Sequence, residues 1–151
     1  MTDDDKQAHF AAINPLVNAL MDSAADAMGD DGDFQPHGAA LMEDGEIKTM
    51  EVNTGDDGDK PNPKAVLQVI HAGLRQQTQG GGVVGVGSAE TVMIGEPPEP
   101  AIKVYAEHSS GFCMAFYAPF KVMGLGEFEF GEVMRVESKR LISGWGLAAN
   151  A

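Results

Sequence analysis

The stretch Met42-Glu43-Asp44-Gly45-Glu46-Ile47 constrains this chain more than any other. Asp-Gly between two β-prone runs is the strongest short-range hairpin signal, because a type I′ turn needs positive φ at both central residues. Asn62-Pro63 follows after an acidic stretch. Asn caps a helix well, and Pro suits the first helical position, so the pair marks a helix start. A hairpin followed by a helix sets the frame for the rest.

With Asp44-Gly45 as a two-residue loop, strands run over 34–43 and 46–53. Leu41 then opposes Lys48, Ala39 opposes Met50 and His37 opposes Val52. Ala39, Leu41, Met50 and Val52 share one face. Met42 and Ile47 oppose each other on the second face, which therefore needs a cover, such as a partner.

Residues 3–28 carry Ile13, Val17, Leu20, Met21, Ala24 and Met28 at helical spacing. Asn14-Pro15 interrupts the run, so the regular helix is expected to begin at Pro15 and to end at Gly29. Val66, Ile70, Leu74 and Gln77, with Leu67 alongside, mark the second helix, which Gly80 ends. Residues 83–94 are rich in β-branched side chains. Gly95-Glu96-Pro97-Pro98-Glu99-Pro100 connects them to a strand over 101–108.

Parity sets the next register. Ile102, Val104 and Ala106 are even-numbered, as are Phe112, Met114 and Phe116. Only a loop with an odd residue count puts both rows on one face. Ser109-Ser110-Gly111 is the natural choice, and it sets Cys113 opposite Glu107. A last strand spans 127–136, with Gly131 marking a bulge.

The expected fold is α+β: an antiparallel sheet of five to six strands in the order helix-β-β-helix-β-β-β, with helices mainly on one face. Residues 1–151 form one domain, with residues 1–8 and 137–151 as its mobile ends. The length suits one core without disulfide or metal support.

Charge narrows the partners. The chain carries 23 acidic against 10 basic residues, a net charge of −13. That field repels phosphate backbones and anionic membrane surfaces, so neither nucleic acid nor membrane is expected. Cys113 is the sole cysteine, which rules out an intramolecular disulfide and a Cys-rich zinc site. The acidic start Met1-Thr2-Asp3-Asp4-Asp5 is unlike a secretory signal. No run approaches the ~18 apolar residues of a membrane span. The expected location is the cytoplasm.

Chemical motifs fail one by one. Gly80 to Gly85 matches G-x-G-x-x-G, but it follows a helix and enters a strand, the reverse of a dinucleotide site. Asp56-Asp57-Gly58-Asp59 resembles a calcium loop, yet aligning Gly58 puts Gly55 and Lys64 at ligand positions. Aligning Gly32 fails in the same way. No C-x-x-C accompanies the helix start at Asn62, so a deaminase-type zinc site is unsupported. His9, His37, His71 and His108 form no metal-ligand spacing. Cys113 beside Glu107 would be held as a thiol. No cofactor and no metal is expected.

Phe34-x-Pro36-x-Gly38-Ala39, Asp44-Gly45, Pro61-x-Pro63, Gly73-Leu74-Arg75 and Phe130-Gly131-Glu132 together resemble small bacterial proteins without assigned activity. The resemblance covers most of residues 34–132. It implies a bacterial cytosolic α+β protein and no substrate.

The functional expectation is a non-catalytic binding or protein-interaction domain, a homodimer joined through sheet or tail. One alternative is a small hydrolase using His37 or His71 with an acid from Asp56–Asp59. Another is an acidic regulatory or immunity-type protein for a basic partner.

Overall fold

The computed structural model describes residues 3–29, 34–51, 63–109, 112–124, 127–138 and 142. Among these residues two helices, α1 (Asp3–Ala27) and α2 (Pro63–Gly80), accompany seven strands. The strands are β1 (His37–Met42), β2 (Ile47–Met50), β3 (Val83–Ile94), β4 (Glu99–His108), β5 (Cys113–Gly124), β6 (Glu127–Phe130) and β7 (Met134–Glu137). All pairings are antiparallel, in the order β2-β1-β3-β4-β5-β6, with β7 also on β5. The class is the one read from the sequence and the element order follows it, with seven strands in place of the expected five to six.

The helices take opposite faces of this sheet, not mainly one. Ile13, Leu16 and Leu20 of α1 pack with Ala39, Leu41, Ala89, Val104 and Phe116. Val66, Ile70 and Leu74 of α2 pack with Ala40, Val86 and Tyr105. Small residues in the central strands make this possible. A β-carbon at Gly38 would lie 2.6 Å from Ile70 Cγ2, and one at Gly87 would lie 2.8 Å from Leu20 Cδ1. Strand β1 is buried along both faces, and near-continuous burial replaces simple alternation there.

Helix α1 runs unbroken through Pro15. Proline removes one backbone donor and crowds the preceding turn. Here Pro15 itself is exposed while Ile13 and Leu16 on either side are fully buried. Packing of both halves on the sheet outweighs the local cost, so Asn14-Pro15 does not act as a start. Residues 3–8, expected at a mobile end, belong to this helix. On α2 the buried row is Val66, Ile70, Leu74 and Thr78, with Gln77 only half-buried.

The hairpin register differs from the expected one by a single residue. Leu41 pairs with Ile47, Ala40 with Lys48, Ala39 with Thr49 and Gly38 with Met50. The loop is therefore Glu43-Asp44-Gly45. Gly45 N donates to Met42 O at 2.9 Å, and Met42 N donates to Glu46 O at 2.8 Å. The Asp44 carboxylate accepts from Glu46 N at 2.9 Å. Of the two expected positive-φ residues only Gly45 has one, at +90°. This is a type I turn closed by a left-handed glycine, the usual three-residue alternative. The slip puts Met50 with Met42 on the α2 side and Ile47 on the α1 side. Helix α2 supplies the cover that the second face requires.

The β4–β5 register is the one parity demands: Glu107 pairs with Cys113 and Ala106 with Met114. Strand β5 then continues to Gly124, past the expected end at Tyr117. The last strand is split in two. Phe120 pairs with Phe130, but Tyr117 pairs with Met134, so residues 131–133 hold one residue more than the opposing stretch. Gly131 N donates to Pro119 O at 2.7 Å, while Pro119 has no N–H to return. The bulge expected at Gly131 lies there.

Val52 to Asn62, the Asp30–Asp33 turn and Ser110-Gly111 lie outside the described residues. So do the αL glycine expected at Gly111 and the Asn62 cap.

Candidate functional site

The four histidines are placed by four different elements and meet three different environments. His37 begins β1 and is buried beneath the end of α1. Its Nε2 lies 2.7 Å from Ser23 Oγ and its Nδ1 lies 3.2 Å from Gln35 O. A neutral ring with its proton on Nδ1 satisfies both contacts, since Nε2 then accepts from the hydroxyl. Ser23 Oγ also lies 3.0 Å from Leu20 O, so its one proton has two acceptors. Ser23, Gln35, His37 and Glu51 border a cavity of about 140 Å³. Drug-sized ligands occupy roughly 300–1,000 Å³, so this space is too small for most substrates.

His71 projects from α2 onto the other face of the sheet. Its Nε2 lies 3.0 Å from Ser88 Oγ. Burial lowers its pKa, the Glu107 carboxylate pulls it up, and Lys103 lowers it. Glu107 is fully buried on the same face and accepts the Ile142 amide. Glu90, paired across the strands with Lys103, has its pKa raised by burial and lowered in part by that lysine. His37 and His71 thus stand on opposite faces and share no site. The acids at 56–59 lie outside the described residues.

His9 and His108 do come together, with ring centroids 5.2 Å apart. His9 also lies 6.1 Å from the Phe112 ring. Burial, and then the charge of His9, lower the His108 pKa. No spacing in the sequence shows this pair, because it joins the first helix to the end of the fourth strand.

A larger groove lies beside them. It encloses about 380 Å³ and is lined by Gln7, Phe10, Phe112, Met114, Arg135 and Glu137. The floor comes from β5, where Met114 faces α1. One wall is the first turns of α1. The other is β7, whose Arg135 and Glu137 pair with Phe116 and Met114 and so share the α1 side. The Arg135 guanidinium carbon sits 5.1 Å from the Phe10 ring centre, a cation–π contact. Among the described residues the lining holds no hydroxyl, thiol or imidazole. An apolar floor rimmed by one cation, one carboxylate and one amide suits recognition of an amphipathic segment.

Along the same edge the surface is apolar. All of β7 is exposed, and Val133, Met134 and Val136 are about half exposed, at 49%, 46% and 51%. Val122, Met123 and Phe130 extend the patch. Among the described residues β7 forms its strand ladder with β5 alone. Exposed apolar strands are sites where another chain can add.

Among the described residues no group of three or more His, Cys, Asp or Glu converges as a metal site. No described helix is long and apolar enough to cross a membrane. No family model, curated protein or solved structure matches this chain.

Proposed function

We propose that this protein is a non-catalytic interaction domain that docks a polypeptide segment along the β7 edge and the adjoining groove. The carrying observation is the coincidence of the two features. A solvent-exposed strand with half-exposed Met134 and Val136 borders a groove whose floor is Phe112 and Met114. Main-chain pairing to an edge gives affinity, and pockets for alternate side chains give specificity. The distribution of histidines over separate environments supports this reading over a hydrolase. A reducing compartment, such as the cytoplasm, suits the single buried Cys113.

Selection of a random displayed-peptide pool against the full chain tests the reading. Selected peptides should lose binding to Met134→Lys and Val136→Lys variants and keep it with Val69→Lys, which alters an exposed apolar residue of α2. Binders indifferent to the β7 substitutions would overturn it.

A further inference from the structure

Ser23 and His37 carry a chemistry that a docking surface does not use. Ser23 lies in the last turns of α1 and His37 opens β1, so the pair sits at the end of the helix away from the groove. Ser23 Oγ stands 2.7 Å from His37 Nε2 and 3.0 Å from Leu20 O, so the shorter contact is the one to the ring. Gln35 O, 3.2 Å from Nδ1, holds the ring proton there and leaves Nε2 as an acceptor. A hydroxyl against a base nitrogen, with the other ring nitrogen held by a third group, is the arrangement that activates a nucleophile. Ser23 and His37 both border the cavity of about 140 Å³, and exposed Ala27, Gln35 and Glu51 bring it to the surface. A second serine–histidine contact, Ser88 Oγ to His71 Nε2 at 3.0 Å, lacks such access, because Ser88 is only 2% exposed.

We propose that Ser23 is an acyl-acceptor site, modified by short, uncharged, activated carboxylic esters with His37 as its base. Ser23 Oγ attacks the carbonyl carbon. The Oγ–C bond forms, and the bond from that carbon to the leaving oxygen breaks. The hydroxyl proton passes to His37 Nε2 and from there to the departing oxygen, which leaves as an alcohol. The ring ends neutral, with its Nδ1 proton still donated to Gln35 O. Size and charge set the donor. The cavity is well below the roughly 300–1,000 Å³ of drug-sized sites, so it admits an acyl group of only a few carbons. The Glu51 carboxylate at its rim and the net charge of −13 repel anionic donors. Release would need a water at the same carbonyl, in a space that the acyl group already fills. The product is therefore an acylated serine, a mark on the chain and not a turnover. It accords with the non-catalytic reading and does not depend on it.

The probe is p-nitrophenyl acetate, applied to the full chain. Wild-type protein should gain an acetyl group on Ser23, located by peptide mapping, while Ser88 stays unmodified. His37→Gln should slow acetylation of Ser23 by about 100-fold or more, the usual worth of general-base assistance. Circular dichroism checks that this variant is folded. Acyl length gives a second measurement. On the wild-type chain p-nitrophenyl octanoate, too long for the cavity, should acylate Ser23 at least about tenfold more slowly than the acetate, each normalised to its reaction with free imidazole. That comparison uses the wild-type chain alone, so it decides even where His37→Gln fails to fold. Ser23 left unmodified in the wild-type chain overturns the proposal. So does equal acetylation of Ser23 in folded His37→Gln, or octanoate reacting as fast as acetate.

Discussion

Gly38 lies directly beneath Ile70, with room for no side chain between them. A β-carbon there would stand 2.6 Å from Ile70 Cγ2 and 2.9 Å from Leu74 Cδ1. Helix α2 therefore rests on the bare backbone of β1. This contact is what lets a sheet with α1 on one face carry a second helix on the other.

Gly38→Ala should destabilise the fold by about 1–3 kcal/mol, the usual cost of forcing extra volume into a packed core. Gly80→Ala provides the comparison. Gly80 has nothing within 4 Å of its β-carbon position and lies at the end of a helix. Its substitution should be neutral or stabilising by up to about 1 kcal/mol. Urea denaturation of both variants measures the contrast, and equal effects would refute the packing account.

Gly45→Ala isolates a different cost. Nothing lies within 4 Å of the Gly45 β-carbon position, yet its φ is +90°. The penalty is therefore conformational, about 1–2 kcal/mol. Gly45→Asn should cost less, since asparagine tolerates the left-handed region better. Denaturation midpoints of the two variants should fall in that order.

The physics of these two glycines explains what was legible in the sequence. The β4–β5 register was readable because parity is a global constraint: Ile102, Val104 and Ala106 must share a face with Phe112, Met114 and Phe116. The Asp44-Gly45 hairpin was readable as a turn, but its loop length was not, and the observed loop carries a side-chain hydrogen bond from Glu46 N to Asp44. Two-residue and three-residue loops differ little in composition, and the difference moves every side chain of β2 to the other face. The placement of the helices turned on Gly38 and Gly87, where absent side chains admit close packing, a signal that hydrophobic patterning does not count. The groove joins α1, β5 and β7, so its lining is scattered over residues 7 to 137.

Glu107→Ala should loosen the buried cluster that holds the sole cysteine. Glu107 is fully buried and accepts the Ile142 amide, and Ile142 packs in the same cluster as Cys113 and Tyr105. Hydrogen bonds to charged groups contribute roughly 1.5–3 kcal/mol, so a loss of that size is expected. Cys113 should also react faster with a thiol reagent under native conditions. Stability lost without any change in labelling rate would place the role of Glu107 elsewhere than over Cys113.

Acid should weaken this fold from about the ordinary histidine pKa downward. Burial lowers the pKa of His71 and of His108 from 6.5 in the folded chain. As pH falls through 6.5 the unfolded chain binds protons that these folded rings refuse, so unfolding is favoured. The loss stops growing once pH lies below the lowered folded values. Glu90 acts in the opposite sense. Its folded pKa is raised from 4.5 by burial, so the folded chain holds a proton that the unfolded chain releases above 4.5. Its ionisation costs stability as pH rises through the raised value, and that cost persists at neutrality. His71→Gln, which can still hydrogen-bond to Ser88, should flatten the decline between pH 6.5 and the lowered value. Glu90→Gln should stabilise at pH 7 more than at pH 4. Denaturant titrations across pH 4 to 7 separate the two, because the histidine variant changes the slope on the acid side and the glutamate variant changes the neutral plateau. An unchanged acid slope in His71→Gln would assign the whole effect to His108 beside His9.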